Sequence, residues 1–181
     1  MKVSVLASGS RGNCTLVHSD TTAILIDMGI STRKLKQALS QIHLDIKDLD
    51  AVFITHEHID HVRGLKTFTK NYAIPIYSKA NTLKQLTSMN TACFQALNQE
   101  NVNIGNLSVC DFSISHDAVD PIGFNVFRQN STGKTIEKFT LATDLGFVSE
   151  TVKMALDGSD IMVLEANHDV NLLQNGQYPW S

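Results

Sequence analysis

Seven consecutive residues, Thr55-His56-Glu57-His58-Ile59-Asp60-His61, hold three of the chain's seven histidines and two of its carboxylates. The apolar run before them, Ala51-Val52-Phe53-Ile54, reads as a buried strand. The polar cluster therefore begins at a strand's carboxyl end, where open α/β sheets place their sites. In extended chain His56 and His58 point the same way. A helix starting near Asp60 then puts His58 and His61 at i, i+3 spacing, on one face. One turn thus presents imidazoles and a carboxylate to one or two metal ions. That donor set suits zinc, iron or manganese, and the lack of a nearby cysteine argues against a cysteine-type structural zinc site. The helical zinc-protease pattern is absent, because His56-Glu57 would need a histidine where Asp60 stands. A polar loop that merely happens to be rich in histidine is the blander alternative. Three histidines and an aspartate within six residues, directly after a buried strand, weigh against it.

The rest of the chain must position this cluster. With 181 residues, 43% of them hydrophobic and 18% charged, it predicts one globular domain with a full core rather than a disordered chain. A net charge of -3 supplies no global basic field for nucleic acid, which counts mildly against an electrostatically driven DNA binder. Cys14, Cys93 and Cys110 are odd in number, widely spaced and form no CxxC. They read as free thiols in a reducing compartment. With neither a secretory signal pattern nor an apolar run of membrane-spanning length, the chain is expected in the cytoplasm.

In order, Lys2 to Ala7 reads as a strand, and Ser8-Gly9-Ser10-Arg11-Gly12-Asn13 as a tight turn that is not a phosphate-binding loop. Thr15–His18 and Ala23–Ile26 form a hairpin. Asp27, beside Gly29, is either a support for the histidine loop or a turn residue. Ser31 caps a helix whose Leu35, Ala38, Leu39 and Ile42 recur with helical spacing. Arg33, Lys34 and Lys36 on it read as a solvated face. A short helix carrying Leu65 and Phe68 inward, a strand Ile74–Tyr77 and a helix from about Ala80 to Met89, capped by Ser78, complete an α/β half. Val102–Ile104, Leu107–Ile114, Gly123–Arg128 and Phe139–Ala142, joined by turn sequences, read as an antiparallel meander. It ends at two polar points, Ser115-His116-Asp117 and Thr143-Asp144-Leu145-Gly146. A short helix, a strand to Leu164 and an opening helix near Val170–Leu173 follow. Leu25-Ile26-Asp27-Met28-Gly29 is echoed around Leu141 to Gly146, a weak hint of two related halves.

Thr-His-x-His-x-Asp-His resembles the signature of the metallo-β-lactamase superfamily of metal-dependent hydrolases. The resemblance covers essentially the whole chain. It implies an α/β (α+β) fold, a four-layer αββα sandwich of two similar halves with the metal site at one edge between the sheets. It implies that His56, His58 and His116 hold one metal, Asp60 and His61 a second, and that Asp144 bridges both. The family's second metal takes a further histidine from a later loop, and no histidine follows His168 here. Narrower wording is similar to the YycJ (also WalJ or VicX) branch: Ala7-Ser8-Gly9-Ser10-x-Gly12-Asn13-x-Thr15, Leu25-Ile26-Asp27-x-Gly29-Ile30-Ser31, Ser115-His116-Asp117-Ala118 and Glu165-Ala166-Asn167-His168-Asp169. Members of that branch accompany a bacterial two-component system, are regarded as DNA-acting hydrolases or exonucleases, and are longer. By that resemblance 1–181 is expected to be a single domain whose second half lacks its carboxyl-terminal elements.

The implied cofactors are two divalent ions, zinc first, with manganese or iron as alternatives. Two cations about 3.5–4 Å apart lower the pKa of a shared water towards ~7 and take up charge on the substrate oxygens. The expected reaction is phosphodiester hydrolysis on DNA, with Asp60 orienting the attacking hydroxide. His168 is either the proton donor to the leaving oxygen or a turn histidine capping the last helix. Two other functions compete: a small-molecule ester or thioester hydrolase, and a non-catalytic metal-bound accessory of a two-component system. Self-association into a homo-oligomer is a further expectation.

Overall fold

The computed structural model describes residues 1–98 and 100–165. His168, the Ala166–Asp169 part of the last motif and the helix expected near Val170 lie outside the described residues.

Among the described residues, eleven strands and five α-helices follow in chain order. The strands are β1 (Lys2–Ala7), β2 (Cys14–His18), β3 (Ala23–Ile26), β4 (Ala51–Phe53), β5 (Ile76–Ser78), β6 (Phe94–Ala96), β7 (Val102–Ile104), β8 (Leu107–Ser113), β9 (Ile122–Gln129), β10 (Thr135–Ala142) and β11 (Ile161–Leu164). The helices are α1 (Thr32–Gln41), α2 (Ile59–Val62), α3 (Leu65–Asn71), α4 (Ala80–Gln85) and α5 (Glu150–Leu156). The first six strands make one sheet in sequence order, antiparallel through β3 and parallel from β3 to β6. The other five make a second sheet, β7 to β10 antiparallel and β11 parallel to β10.

Strand periodicity explains the layers. On β3 and β4 every residue is buried, yet successive side chains enter different cores. Ile24, Ile26, Ala51 and Phe53 face the second sheet, meeting Leu107, Val109, Phe124, Val126, Phe139 and Leu141. Leu25, Val52 and Ile54 face the other way, against Leu35 and Leu39 of α1 and Leu65 and Phe68 of α3. On the far side of the second sheet, Phe112, Ile114 and Ala142 pack on Val152 and Ala155 of α5. The order helix, sheet, sheet, helix is the expected αββα sandwich.

Two local expectations need correction, and one strand is added. The helix from Ala80 stops at Gln85 rather than near Met89, because Thr87, Ser88 and Asn90 favour turns over helix interiors. Ser78 does not cap it. Ser78 belongs to β5, and its buried hydroxyl donates to the Ile54 carbonyl at 2.8 Å. The segment after this helix holds an edge strand, β6, parallel to β5. Three residues are too short to show a period of two. Elsewhere Ser31 caps α1 as expected, accepting from the Lys34 N–H. No helix among the described residues is long and apolar enough to cross a membrane.

A candidate metal centre between the sheet ends

Backbone packing brings three turns to one place. Asp27 ends β3 with a positive φ of 61°, and its N–H donates to the Phe53 carbonyl at 2.8 Å. The next two residues enter the histidine loop: Met28 N–H donates to the His61 carbonyl, and Gly29 N–H to the Asn13 carbonyl, both at 2.8 Å. Asn13 N–H in turn reaches the Asp60 carbonyl at 2.7 Å. A side chain at Gly29 has no room, since its first carbon would lie 1.6 Å from the Asp60 carbonyl oxygen. That close approach requires glycine.

Asp27 is the anchor of the site. Its carboxylate accepts from the Thr55 N–H at 2.9 Å and from the Thr55 hydroxyl at 3.0 and 2.9 Å. Its Oδ2 also lies 2.8 Å from His61 Nδ1. Asp27 therefore holds a His61 proton on Nδ1 and turns Nε2 outward. Around that Nε2 stand Asn13 Nδ2 at 2.9 Å, Asp144 Oδ2 at 3.0 Å and Asp60 Oδ2 at 3.7 Å. Burial works to lower the His61 imidazole, but the carboxylates of Asp27 and Asp144 override it and hold its pKa up at about 10. Of the two readings left open for Asp27, support of the histidine loop is the one its contacts satisfy.

His56 is oriented by its neighbour. Its Nδ1 lies 3.0 Å from the Thr55 hydroxyl, whose own proton goes to Asp27. Nδ1–H therefore donates, and Nε2 is left as a bare acceptor. Burial, aided by the imidazoles of His61, His116 and His58 and opposed by Asp144, pushes its pKa down to about 2. The ring is neutral, and His56 Nε2 is buried with no hydrogen-bond partner among the described residues. Asp144 Oδ2 is likewise buried with no hydrogen bond among the described residues, and it stands 3.0 Å from His61 Nε2. The His61 imidazolium more than offsets burial and keeps the Asp144 carboxyl below the usual carboxylate range.

His116 arrives from the second sheet, three residues beyond β8. With His56 and His58 it forms a triangle of rings, centroids 4.7, 4.7 and 4.9 Å apart. His116 Nε2 lies 3.1 Å from His58 Nδ1. Asp144 comes from the end of β10, again with a positive φ, 57°. Its backbone matches that of Asp27, which gives the weak sequence echo between the two segments a structural counterpart.

The site residues thus converge as two groups. His56, His58 and His116 place ligand atoms within 4.8 Å of one another, as do His56, His61 and Asp144. Asp60 is in neither group, and its Oδ2 is a hydrogen-bond acceptor for Asn13 Nδ2 at 3.3 Å. It lines an adjoining cavity of about 440 Å³ together with Ser10, Asn13, Asp144 and Glu165. Two buried, unpartnered acceptors, a neutral imidazole and a carboxylate side by side suit a divalent cation, which supplies the missing partner for each.

Sequence reasoning missed three residues here. In sequence Asn13 reads as a turn residue within a family motif, and Thr55 as a member of the histidine motif with no role of its own. Glu57 accepts from the Val119 N–H at 2.8 Å and ties the His116 turn to the histidine loop. Hydroxyl, amide and carboxylate next to candidate ligands were the available signal.

Fold and site together define a metallo-hydrolase sandwich with a histidine–carboxylate centre between its sheets. Residues 7–88 match the Metallo-beta-lactamase superfamily model. The chain is 35% identical over 183 residues to the exodeoxyribonuclease YycJ of Bacillus anthracis, covering 98% of this chain and 67% of that protein. It is 31% identical over 186 residues to the exodeoxyribonuclease WalJ of Streptococcus pneumoniae serotype 2, covering 99% and 67%. Among solved structures, Zn(2+)-bound PqqB from Methylobacterium extorquens superposes with a TM-score of 0.71 at 19% identity, over 91% of this chain and 66% of that one. MEM-A1, a subclass B3 metallo-β-lactamase from a soil metagenome library, gives 0.65 at 18% identity, over 85% and 73%. At those identities the two structures speak for the fold alone. The chain belongs to the metallo-β-lactamase superfamily.

Proposed function

We propose that the chain is a di-metal phosphodiesterase that acts on DNA as an exonuclease. The observation that carries this reading is the pair of buried acceptors with no hydrogen bond among the described residues, His56 Nε2 and Asp144 Oδ2, where two candidate ligand groups share His56. The two relatives named exodeoxyribonucleases support the substrate.

We assign His56, His58 and His116 to one divalent ion, Asp60 and His61 to the other, and Asp144 to both, with zinc the first choice of metal. When bound, such ions activate water and take up the charge that develops on the substrate oxygens. The protein's own groups do the rest. Asp27 and Thr55 fix the tautomers of His61 and His56, so that both present Nε2. Asn13 holds Asp60 Oδ2, and among the described residues Oδ1 has no hydrogen bond. Asp60 Oδ1 is the atom assigned to accept the proton of the attacking water. His168 is assigned as donor to the leaving oxygen. The three cysteines are free, and Cys14 is buried with its thiol pushed well up by burial and by Asp27. Free cysteines fit a reducing compartment, and we place the chain in the cytoplasm.

The test is hydrolysis of end-labelled oligodeoxynucleotides and of bis(p-nitrophenyl) phosphate by the metal-loaded chain. Stepwise shortening of the oligonucleotide that a chelator stops is the expected result. A fully loaded chain that cuts neither substrate overturns the reading, and one that cuts only thioesters or lactones replaces it. His168→Ala should lower turnover with metal content intact; unchanged turnover removes His168 from the mechanism.

A further inference from the structure

The net charge of -3 hides a local field of the opposite sign. Arg63 Nη1 donates to the Arg11 carbonyl at 2.9 Å, joining two exposed guanidinium-bearing residues 52 positions apart. Each stands two residues from a group at the metal centre: Arg11 from Asn13, Arg63 from His61. Past Arg63 the exposed positions of the 59–71 helical segment are Lys66, Thr67, Lys70 and Asn71, with Leu65, Phe68 and Thr69 turned inward. That face carries cations and no acid.

The same side is extended by α1. Gly64 N–H donates to the Met28 carbonyl at 2.9 Å, and a side chain at Gly64 would meet the Ile30 carbonyl at 2.1 Å. The helical segment therefore lies against the turn that opens α1, and Arg33, Lys34 and Lys36 project from the exposed face just beyond it. No acidic residue occupies the first turn of α1. Cations there oppose the helix macrodipole, so helix stability does not account for them. The Lys and Arg ion pairs formed by side chains among the described residues lie elsewhere, at Lys79–Asp111, Arg128–Glu137 and Lys153–Glu150. An uncompensated cationic track that starts beside a metal centre complements a polyanion.

We infer that Arg11, Arg63, Arg33 and Lys34 form a phosphate-binding rim that seats the backbone of a DNA strand as its end enters the metal centre. The rim rests on the phosphodiesterase reading given above. It contacts phosphates rather than base edges, so it confers affinity for the polymer without sequence preference. It also separates this substrate class from small esters, which are too short to reach α1.

The test reads binding without cleavage. Metal-loaded protein is titrated with a fluorescent, hydrolysis-resistant phosphorothioate oligonucleotide, by anisotropy, over a range of salt. Each phosphate contact contributes about 0.7 to the slope of log affinity on log salt for a single strand. Replacing all four residues (R11Q, R63Q, R33Q, K34Q) should weaken binding at least tenfold and flatten the slope by ~3. The pair R33Q and K34Q alone, on an exposed helix face, should flatten it by ~1.4, which keeps the test open if changes at Arg11 or Arg63 disturb folding. K134Q, on the distant turn between β9 and β10, is the control and should change neither quantity. Native affinity and slope in the rim variants, or no binding by the native chain, overturns the rim. Binding through the rim without hydrolysis keeps the rim and overturns the proposed reaction. Hydrolysis with native binding in the rim variants does the reverse.

Discussion

At the scale of single residues, the candidate site depends on groups outside its candidate ligands. Asp27 satisfies three donors at once and sets the His61 tautomer. Asp27→Asn keeps an oxygen for Thr55 but presents an amide N–H₂ to His61 Nδ1, which puts the ring proton on the outward Nε2 and blocks it as a ligand. The expected loss of metal affinity is about 10–100-fold, read by competition with a calibrated chelator on protein that circular dichroism shows to be folded. Native affinity in that variant would remove Asp27 from its anchoring role. Glu57 acts on the other group. Glu57→Ala frees the Val119 N–H and loosens the His116 turn, at a cost of about 1 kcal/mol and a measurable drop in metal retention. Glu57→Gln keeps an acceptor and should behave as the native residue; if both variants lose metal equally, the carboxylate matters through its charge and not through the Val119 bond. The ligand residues were legible because they are adjacent in sequence or stand at polar strand ends. Their supports were not, since Asp27 and His61 are 34 positions apart and Glu57 and Val119 62 apart. Asx residues such as Asn13 serve turns and ligands equally well, so no spacing rule tells the two uses apart.

At the scale of elements, what matters is how closely three turns approach. Gly29 has backbone on every side, the Asp60 carbonyl first. Gly29→Ala must push the histidine loop away from the β3 turn, and no flexible side chain can yield instead. A loss of about 3 kcal/mol is expected in denaturant titration, accompanied by loss of metal. Gly133, in open space with φ 78°, is the contrast: Ala there costs only left-handed strain, about 1 kcal/mol, and should leave metal content alone. Equal effects at the two glycines would mean that conformation, not close approach, governs Gly29. The elements themselves were mostly readable. Apolar runs on β3 and β4, helical spacing on α1 and turn residues in the meander all carry length, period or punctuation. Failure came where both were missing, in the three-residue β6 and the short α4. At Ser78 a good capping residue type was spent on a buried cross-strand hydrogen bond.

At the scale of the molecule, two sheets end at one place and deliver candidate ligands from both: His56, His58 and His61 from the first, His116 and Asp144 from the second. On the proposed assignment a bound metal clasps the sheets together, and its binding adds to global stability. Chelator-treated chain given zinc at about 100 times its dissociation constant should gain ~2.7 kcal/mol, roughly 5–10 °C in Tm for a domain of this size. A Tm indifferent to metal would mean that the ligands do not bridge the halves. The layer order was legible through the family resemblance, which the order of strands and helices fits. The charge distribution was not, because Arg11 and Arg63 become neighbours only through the fold. The most direct measurement of the central claim is metal content per chain, by elemental analysis of protein purified without chelator, for the native chain and for His116→Ala. A two-ion centre predicts about two divalent ions in the native chain and about one in the variant. A native chain with none, or a variant that keeps the native content, would contradict it.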